Sequence, residues 1–237
     1  MTCRCAVDLH IHSCLSPCAD DDMTPWNIVG MAKLKGLAAV AVCDHNSARN
    51  LPAACKAGRE YGVCVLPGIE VTSREDVHLL CYFETLSQAM DMGMQIEREQ
   101  PHIKNKPELF GHQILLDEDD TFLGETEHLL LAACNLSISD LAQAAWGLGG
   151  VMVPAHINKG ANSLLPVLGM LPENIALPTV EIFRTVPHRA AGKLCLHASD
   201  AHTLIDIREA EDACVLELQE LTPAALIQVL RKGKGET

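Results

Sequence analysis

The sequence predicts an α/β protein built on mostly buried, parallel strands, as a (β/α) barrel or a doubly wound sheet. Three observations lead there. Seven short apolar runs recur along the 237 residues, longer helical patterns lie between several of them, and 48% of residues are hydrophobic while only 3% are aromatic. A chain of this length buries one sizeable core, which must be built mainly from Val, Leu, Ile, Ala and Cys.

The runs are "CAVDLHI" (5–11), "LAAVAVC" (37–43), "GVCVLPGI" (62–69), "VHLLCYF" (77–83), "GVMVPAHI" (150–157), "TVEIFR" (179–184) and "LCLHAS" (194–199). Short runs apolar on both faces read as buried parallel strands. Between them, "TPWNIVGMAKLKG" (24–36) has a Thr cap, a Pro in its first turn and a terminal Gly, the signature of a helix. "NLPAACKAGREYG" (50–62) repeats that logic, and 137–150 and 221–233 supply two more helices. Residues 84–136 interrupt the rhythm and predict a mostly helical excursion, without clear strands, inside a single domain spanning 1–237. No internal repeat or low-complexity linker divides the chain.

Charge and cysteine usage narrow the function. The formal net charge is −13, and such a surface repels nucleic-acid backbones unless a basic patch or a bound cation overrides it. A small-molecule partner is expected and polymeric nucleic acid disfavoured. Residues 1–7, "MTCRCAV", lack the basic start and apolar run of a signal peptide, and no stretch reaches the roughly 18 apolar residues of a membrane span. Eleven cysteines, among them Cys43, Cys64, Cys81 and Cys195 inside apolar runs, suit a reducing cytoplasm.

Chemistry clusters at the run ends. On a regular strand Asp8, His10 and His12 share one face and Val7, Leu9 and Ile11 the other. Two histidines at i, i+2 leaving an apolar strand are a metal signal. Asp44 and His45 close the second run, Glu70 follows the third, His78 opens the fourth, His156 ends the fifth, and Asp200 and His202 follow the seventh. Most of these are C-terminal strand ends, where barrels and open sheets place active sites.

In this order and spacing, "DLHIHS", "CDHN", "PGIEVTS", "AHINK" and "SDAH" resemble the polymerase-and-histidinol-phosphatase (PHP) metallophosphoesterases. The resemblance implies a distorted seven-stranded (β/α) barrel holding two or three divalent ions (Mn, Fe or Zn) in its mouth. It implies a first metal on His10, His12, Glu70 and Asp200, and a second on His78 and His156, bridged to the first by Glu70. A third would take His45, His202 and an acid from the first loop. That loop, "SPCADDDMTP", offers Asp20, Asp21 and Asp22; counting back from Thr24-Pro25 favours Asp20.

Other residues have plainer readings. Asp8 and Asp44 are candidates to orient ligand imidazoles, or simply to shape turns. Glu181 is a strand-end acid outside the implied ligand set. Cys14 and Cys18, spaced C-x₃-C, offer a soft-metal or redox pair, but no second thiol pair accompanies them. His102, His112, His128 and His188 read as surface or packing residues, and His197 as strand packing. "GLGG" (147–150) is a helix stop, and the acids 117–120 a solvated loop.

The implied reaction is hydrolysis of a phosphate ester by metal-activated water, without a serine or cysteine nucleophile. With the third metal absent, His202 or His45 would serve as leaving-group acid. Lys159 and Arg184 are the cations best placed to hold substrate phosphate, with Arg49 and Arg74 behind them. The expected substrate is a small phosphorylated metabolite. The alternatives are a DNA exonuclease or proofreading module and a metal-dependent amide or lactone hydrolase.

Overall fold

The computed structural model describes residues 2–233; Met1 and residues 234–237, the ends of the single domain expected above, lie outside the described residues. Strand β1 (Cys3–Ile11) leads through helix α1 (Pro25–Leu34) to β2 (Ala39–Val42), and α2 (Leu51–Tyr61) leads to β3 (Cys64–Val65). Beyond Pro67, β4 (Gly68–Thr72) turns back as β5 (His78–Tyr82). Next come α3 (Leu86–Glu99), α4 (Pro107–Phe110), β6 (Ile114–Leu116), β7 (Phe122–Glu125), α5 (Ile138–Gly147) and β8 (Val151–Pro154). The chain continues through α6 (Leu164–Leu168), β9 (Thr179–Glu181), β10 (Leu194–Leu196), β11 (Cys214–Leu218) and α7 (Pro223–Lys232).

This is a mixed α/β fold whose strands are less uniformly parallel than the sequence predicts. One sheet has the order β11-β1-β2-β3, a second β4-β5-β8, and two pairs are β10-β9 and β6-β7. Parallel pairing holds for β1-β2-β3 and β9-β10, but β4-β5-β8 is antiparallel. For β4 and β5 the cause is chain length: only Ser73–Val77 separates them, too short for the crossover that a parallel pair requires. The ladders do not merge into one closed barrel. Single parallel bridges, Ile11–Ala201 and His45–Glu70, link the first sheet to the turn after β10 and to β4.

Two apolar layers flank the strands. Cys5, Val7, Leu9, Ala41, Cys43, Leu80, Tyr82, Val153 and Leu216 pack together, with Leu226, Ile227 and Leu230 of α7 in the same layer. The other layer fits Val40, Val42, Ile69, Val71 and Leu79 against side chains of α1, α2, α3 and α5. Ile11 belongs to the second layer, not the first. The β1–β2 register shifts between Asp8 and Ile11, and a bulge of this kind re-aims the residues beyond it. Simple alternation along β1 therefore fails at the point where its histidines must turn inward.

Local chemistry sets the helix ends. Thr24 Oγ1 accepts from Asn27 N, Thr222 Oγ1 from Ala225 N, and Gly62 and Gly233 close their helices in the left-handed region. Asn50 precedes α2 but does not cap it: its amide donates to the Ile114 carbonyl and accepts from Leu116 N. The 84–136 excursion is helical only in its first half, and its second half holds the β6-β7 hairpin that the sequence reading missed. It braces the loop after β1, with Ile114 N donating to the Cys14 carbonyl at 2.8 Å. The acids 117–120 are partly engaged there, since Asp120 accepts from Trp26 N at the start of α1.

Glycine is required where β4 passes β2. A Cβ on Gly68 would stand 2.6 Å from Cys43 Sγ and 3.0 Å from the Tyr82 ring. Gly68→Ala should destabilise the fold by about 1–3 kcal/mol, the usual cost of overpacking, and disturb Glu70 two residues on. Urea denaturation checks it; unchanged stability would mean β4 has slack.

Candidate metal centre

Glu70, 1% exposed, is the focus on which the strand ends converge. Its Oε1 lies 3.0 Å from His78 Nδ1 and 3.4 Å from both His10 Nε2 and His156 Nε2. Its Oε2 lies 3.1 Å from His45 Nδ1 and 3.4 Å from His12 Nε2. Asp200 Oδ1 stands 3.4 Å from His10 Nε2 and 3.3 Å from His12 Nε2, and these two nitrogens are 3.1 Å apart. His202 stacks on His12 with ring centroids 4.4 Å apart. All eight residues predicted at the strand ends thus meet in one place.

The contacts to Glu70 are not hydrogen bonds. Both Glu70 oxygens, His45 Nδ1 and His78 Nδ1 are buried without a hydrogen-bond partner. Leaving buried polar atoms unpaired costs about 1–3 kcal/mol each, so a fold that orphans four around one carboxylate has another partner for them. Two donors on one ion, each about 2.0–2.2 Å from it, stand about 3.0–3.5 Å apart. The donor set fits divalent metals: mixed imidazole and carboxylate suits Mn, Fe and Zn alike.

A second layer fixes the rings. Glu181, on β9, accepts from His10 Nδ1 at 2.9 Å. Ser16 Oγ sits 3.0 Å from His12 Nδ1 while donating to Asp44 Oδ1, so the His12 nitrogen is the donor and its Nε2 carries the lone pair. His202 Nδ1 faces the Asp200 carbonyl at 2.8 Å, which likewise leaves its Nε2 free to ligate. His156 Nδ1 meets Ser163 Oγ at 3.1 Å. Asp44 also holds Ser13 through its N–H and hydroxyl, and Asp8 accepts from Ser199 N and Arg208 N, tying β1 to the Asp200 turn. Asn46, His156 and Asp200 adopt positive φ (51°, 24° and 54°), backbone strain of the kind found at functional sites.

Lys159 Nζ pairs with Asp200 Oδ2 at 2.6 Å. Arg184 lies over the Phe183 ring at 4.8 Å, with Lys159 at 5.8 Å from the same ring. Together with His197, Arg208 and Ser199 they line a cavity of about 350 Å³ that reaches His156, Glu181 and Asp200. Arg49 pairs with Glu97 on the surface.

One expectation fails. Asp20 is exposed, and it belongs to no group of donors that could share an ion. The loop delivers Cys18 instead, whose sulfur joins His12, His45 and His202 with all ligand atoms within 4.8 Å of one another. The C-x₃-C spacing was the available signal. Its two thiols nevertheless go different ways: Cys14 is buried, whereas Cys18 is exposed as a residue with its sulfur turned to the cluster.

Electrostatics follow the crowding. Burial opposes charge on His10, but Glu181, Glu70 and Asp200 outweigh it and raise its pKa well above the ordinary value. Burial likewise opposes charge on His12, and Asp200 and Glu70 lift it to about 9. Burial and then His12 depress His45, and His202 falls to about 4 for the same reasons. Neutral imidazoles at pH 7 suit ligation better than proton donation. Burial pushes the Cys18 thiol up to about 12 in the absence of an ion.

The PHP domain family matches residues 8–141, more than half of the chain, and the protein belongs to that family. An uncharacterised protein of Methanocaldococcus jannaschii is 37% identical over 76 residues, covering 29% of this chain and 44% of that protein. Among solved structures, the lesion-specific endonuclease Q of Pyrococcus furiosus superposes with a TM-score of 0.71 at 21% identity. The match covers 98% of this chain but 57% of the endonuclease, and a complex of endonuclease Q with a 27-mer duplex carrying an abasic lesion gives 0.73. A Bifidobacterium adolescentis protein provisionally described as a metal-dependent phosphoesterase gives 0.61 at 19% identity, covering 96% of each chain. At these identities the likenesses establish the fold. No helix among the described residues is long and apolar enough to cross a membrane.

With chelator present, stability should fall as pH rises. The raised pKa of His12 stabilises the ion-free fold fully below about 6.5, its ordinary value, and that contribution is lost as pH passes about 9. With metal the trend should reverse, because cations bind deprotonated imidazoles. Thermal melts at pH 6.5 and 9, with EDTA and with Mn²⁺, check this; parallel trends would refute it.

Proposed function

We propose that this protein is a metal-dependent phosphoesterase of one PHP-type domain that cleaves small phosphorylated molecules. The observation that carries this reading is the set of orphaned donors around Glu70, beside a cavity lined by Lys159, Arg184 and Arg208. His10, His12, Glu70 and Asp200 would hold one ion, and Glu70, His78 and His156 a second. When bound, such ions lower the pKa of water and offset charge on phosphoryl oxygens.

The chain's own groups do the rest. Glu181, Ser16 and Ser163 keep ligand rings oriented. Lys159 and Arg184, both close to the Phe183 ring, hold the substrate's phosphate oxygens as charge-assisted donors. The strand layer shared by β1, β2, β5, β8, β10 and β11, with α7 beneath it, supports a distorted, open barrel in which the single bridges at Ile11 and His45 link neighbouring sheets.

A second reading, cleavage of a nucleic-acid backbone, is favoured by the likeness to endonuclease Q. The −13 charge opposes it. Mn²⁺- or Zn²⁺-loaded protein assayed on nucleoside monophosphates, histidinol phosphate, an abasic duplex, amides and lactones separates the readings. Phosphate release from a small ester, abolished by chelator, is the expected result. Duplex nicking alone supports the second reading, and amide or lactone cleavage alone overturns both. Lys159→Ala and Arg184→Ala should each raise KM about tenfold or more with a smaller change in kcat; unchanged KM in both would remove them from the substrate site.

A further inference from the structure

We propose that Cys18, His45 and His202 form a soft subsite within the cluster, taking a zinc ion through one thiolate and two imidazoles. The proposal rests on the reading of the cluster as a metal centre. The ligand atoms of His12, Cys18, His45 and His202 lie within 4.8 Å of one another. His12 is already engaged, its Nδ1 on Ser16 and its Nε2 facing His10, Glu70 and Asp200. His202 has its Nδ1 on the Asp200 carbonyl and so offers Nε2. His45, 4% exposed, has a buried nitrogen with no hydrogen-bond partner. Cys18 Sγ and His202 Nε2 have no other work and His45 Nδ1 faces only Glu70 Oε2, at 3.1 Å; one of the three donors is sulfur.

The loop is built to present that sulfur. Ser16 N donates to the Ser13 carbonyl and Ala19 N to the Ser16 carbonyl, a tight turn that brackets Cys18. Asp20 N donates to the His202 carbonyl at 2.9 Å, stitching the end of the turn to the turn that carries His202. From outside, the chain at Gly111 passes so close to the Pro17 carbonyl that any Cβ there would overlap it, and Gly111 adopts φ +100°. The three loop carboxylates, Asp20, Asp21 and Asp22, stay exposed. Replacing a hard oxygen donor by thiolate changes metal choice: sulfur favours Zn²⁺, Cd²⁺ and Co²⁺ over Mn²⁺ and Mg²⁺. The centre would then be mixed, with harder ions admitted around Glu70 and a softer ion held by Cys18.

The test uses the full chain, stripped of metal and reloaded with Co²⁺ or Zn²⁺. Thiolate–Co²⁺ ligation gives a near-ultraviolet charge-transfer band that imidazole and carboxylate do not. The band should appear in the wild type and in Cys14→Ser, and vanish in Cys18→Ser. Zinc content should drop by one ion in Cys18→Ser, with affinity at that subsite falling about a hundredfold or more, while the remaining ions stay. Cys18→Asp should restore an ion but shift preference towards Mn²⁺. Circular dichroism of Cys18→Ser establishes that it folds. Retention of both band and zinc count in Cys18→Ser overturns this proposal alone. A wild type that binds no divalent ion overturns it together with the metal-centre reading.

Discussion

A carboxylate in a dry site must be neutralised, and at Glu70 the protein supplies no hydrogen bond to do it. Burial would raise the Glu70 pKa, yet the surrounding imidazoles, His78 and His10 foremost, overcome this and hold it well below the usual range. An ionised side chain at that depth, unpaired, would cost several kcal/mol. Four orphaned atoms within one cluster state the same requirement from the other side. A divalent cation answers both, because it needs acceptors only and each of these groups can be one. In its absence protons on His10 and His12 fill the role, and the raised pKa values of both rings follow.

Much of the remaining structure keeps those acceptors aimed. Each of His10, His12, His156 and His202 has its Nδ1 occupied by a different partner: a carboxylate, a serine already donating to Asp44, a second serine and a main-chain carbonyl. The tautomers are thereby set with Nε2 inward on each. The β1 register shift turns two histidines into the centre, and the short β4-β5 connection brings His78 opposite Thr72, two residues from Glu70. Positive φ at Asn46, His156 and Asp200 lies beside or on the residues that converge. Asn46 holds its strain through three bonds: its amide donates to the Leu130 and Ala132 carbonyls and accepts from Thr72 N.

The convergence of His10, His12, His45, Glu70, His78, His156, Asp200 and His202 was legible in the sequence because strand termini are marked by apolar runs and the side chains follow directly. Cys18 was marked only by its C-x₃-C spacing, because it lies in a turn whose geometry depends on a bond to His202 and on the close passage of Gly111; counting residues from Thr24 points to Asp20 instead. Glu181 was visible as a strand-end acid, but its place against His10 required the pairing of β9 with β10. The β6-β7 hairpin and β11 escaped because "ILL", "FLGE" and "CVLEL" are short or half-polar runs whose strand character comes from their partners. Antiparallel pairing of β4 with β5 was set by connection length, which apolar runs alone do not report.

The central claim is that one carboxylate bridges two ions. Glu70→Gln keeps the size of the side chain and removes its charge, so metal counting on the folded variant, beside His78→Ala, tests it most directly. Glu70→Gln should lose two ions together, with circular dichroism showing that the variant folds. His78→Ala should lose chiefly one. Full metal content in Glu70→Gln, or loss of a single ion, would contradict the account.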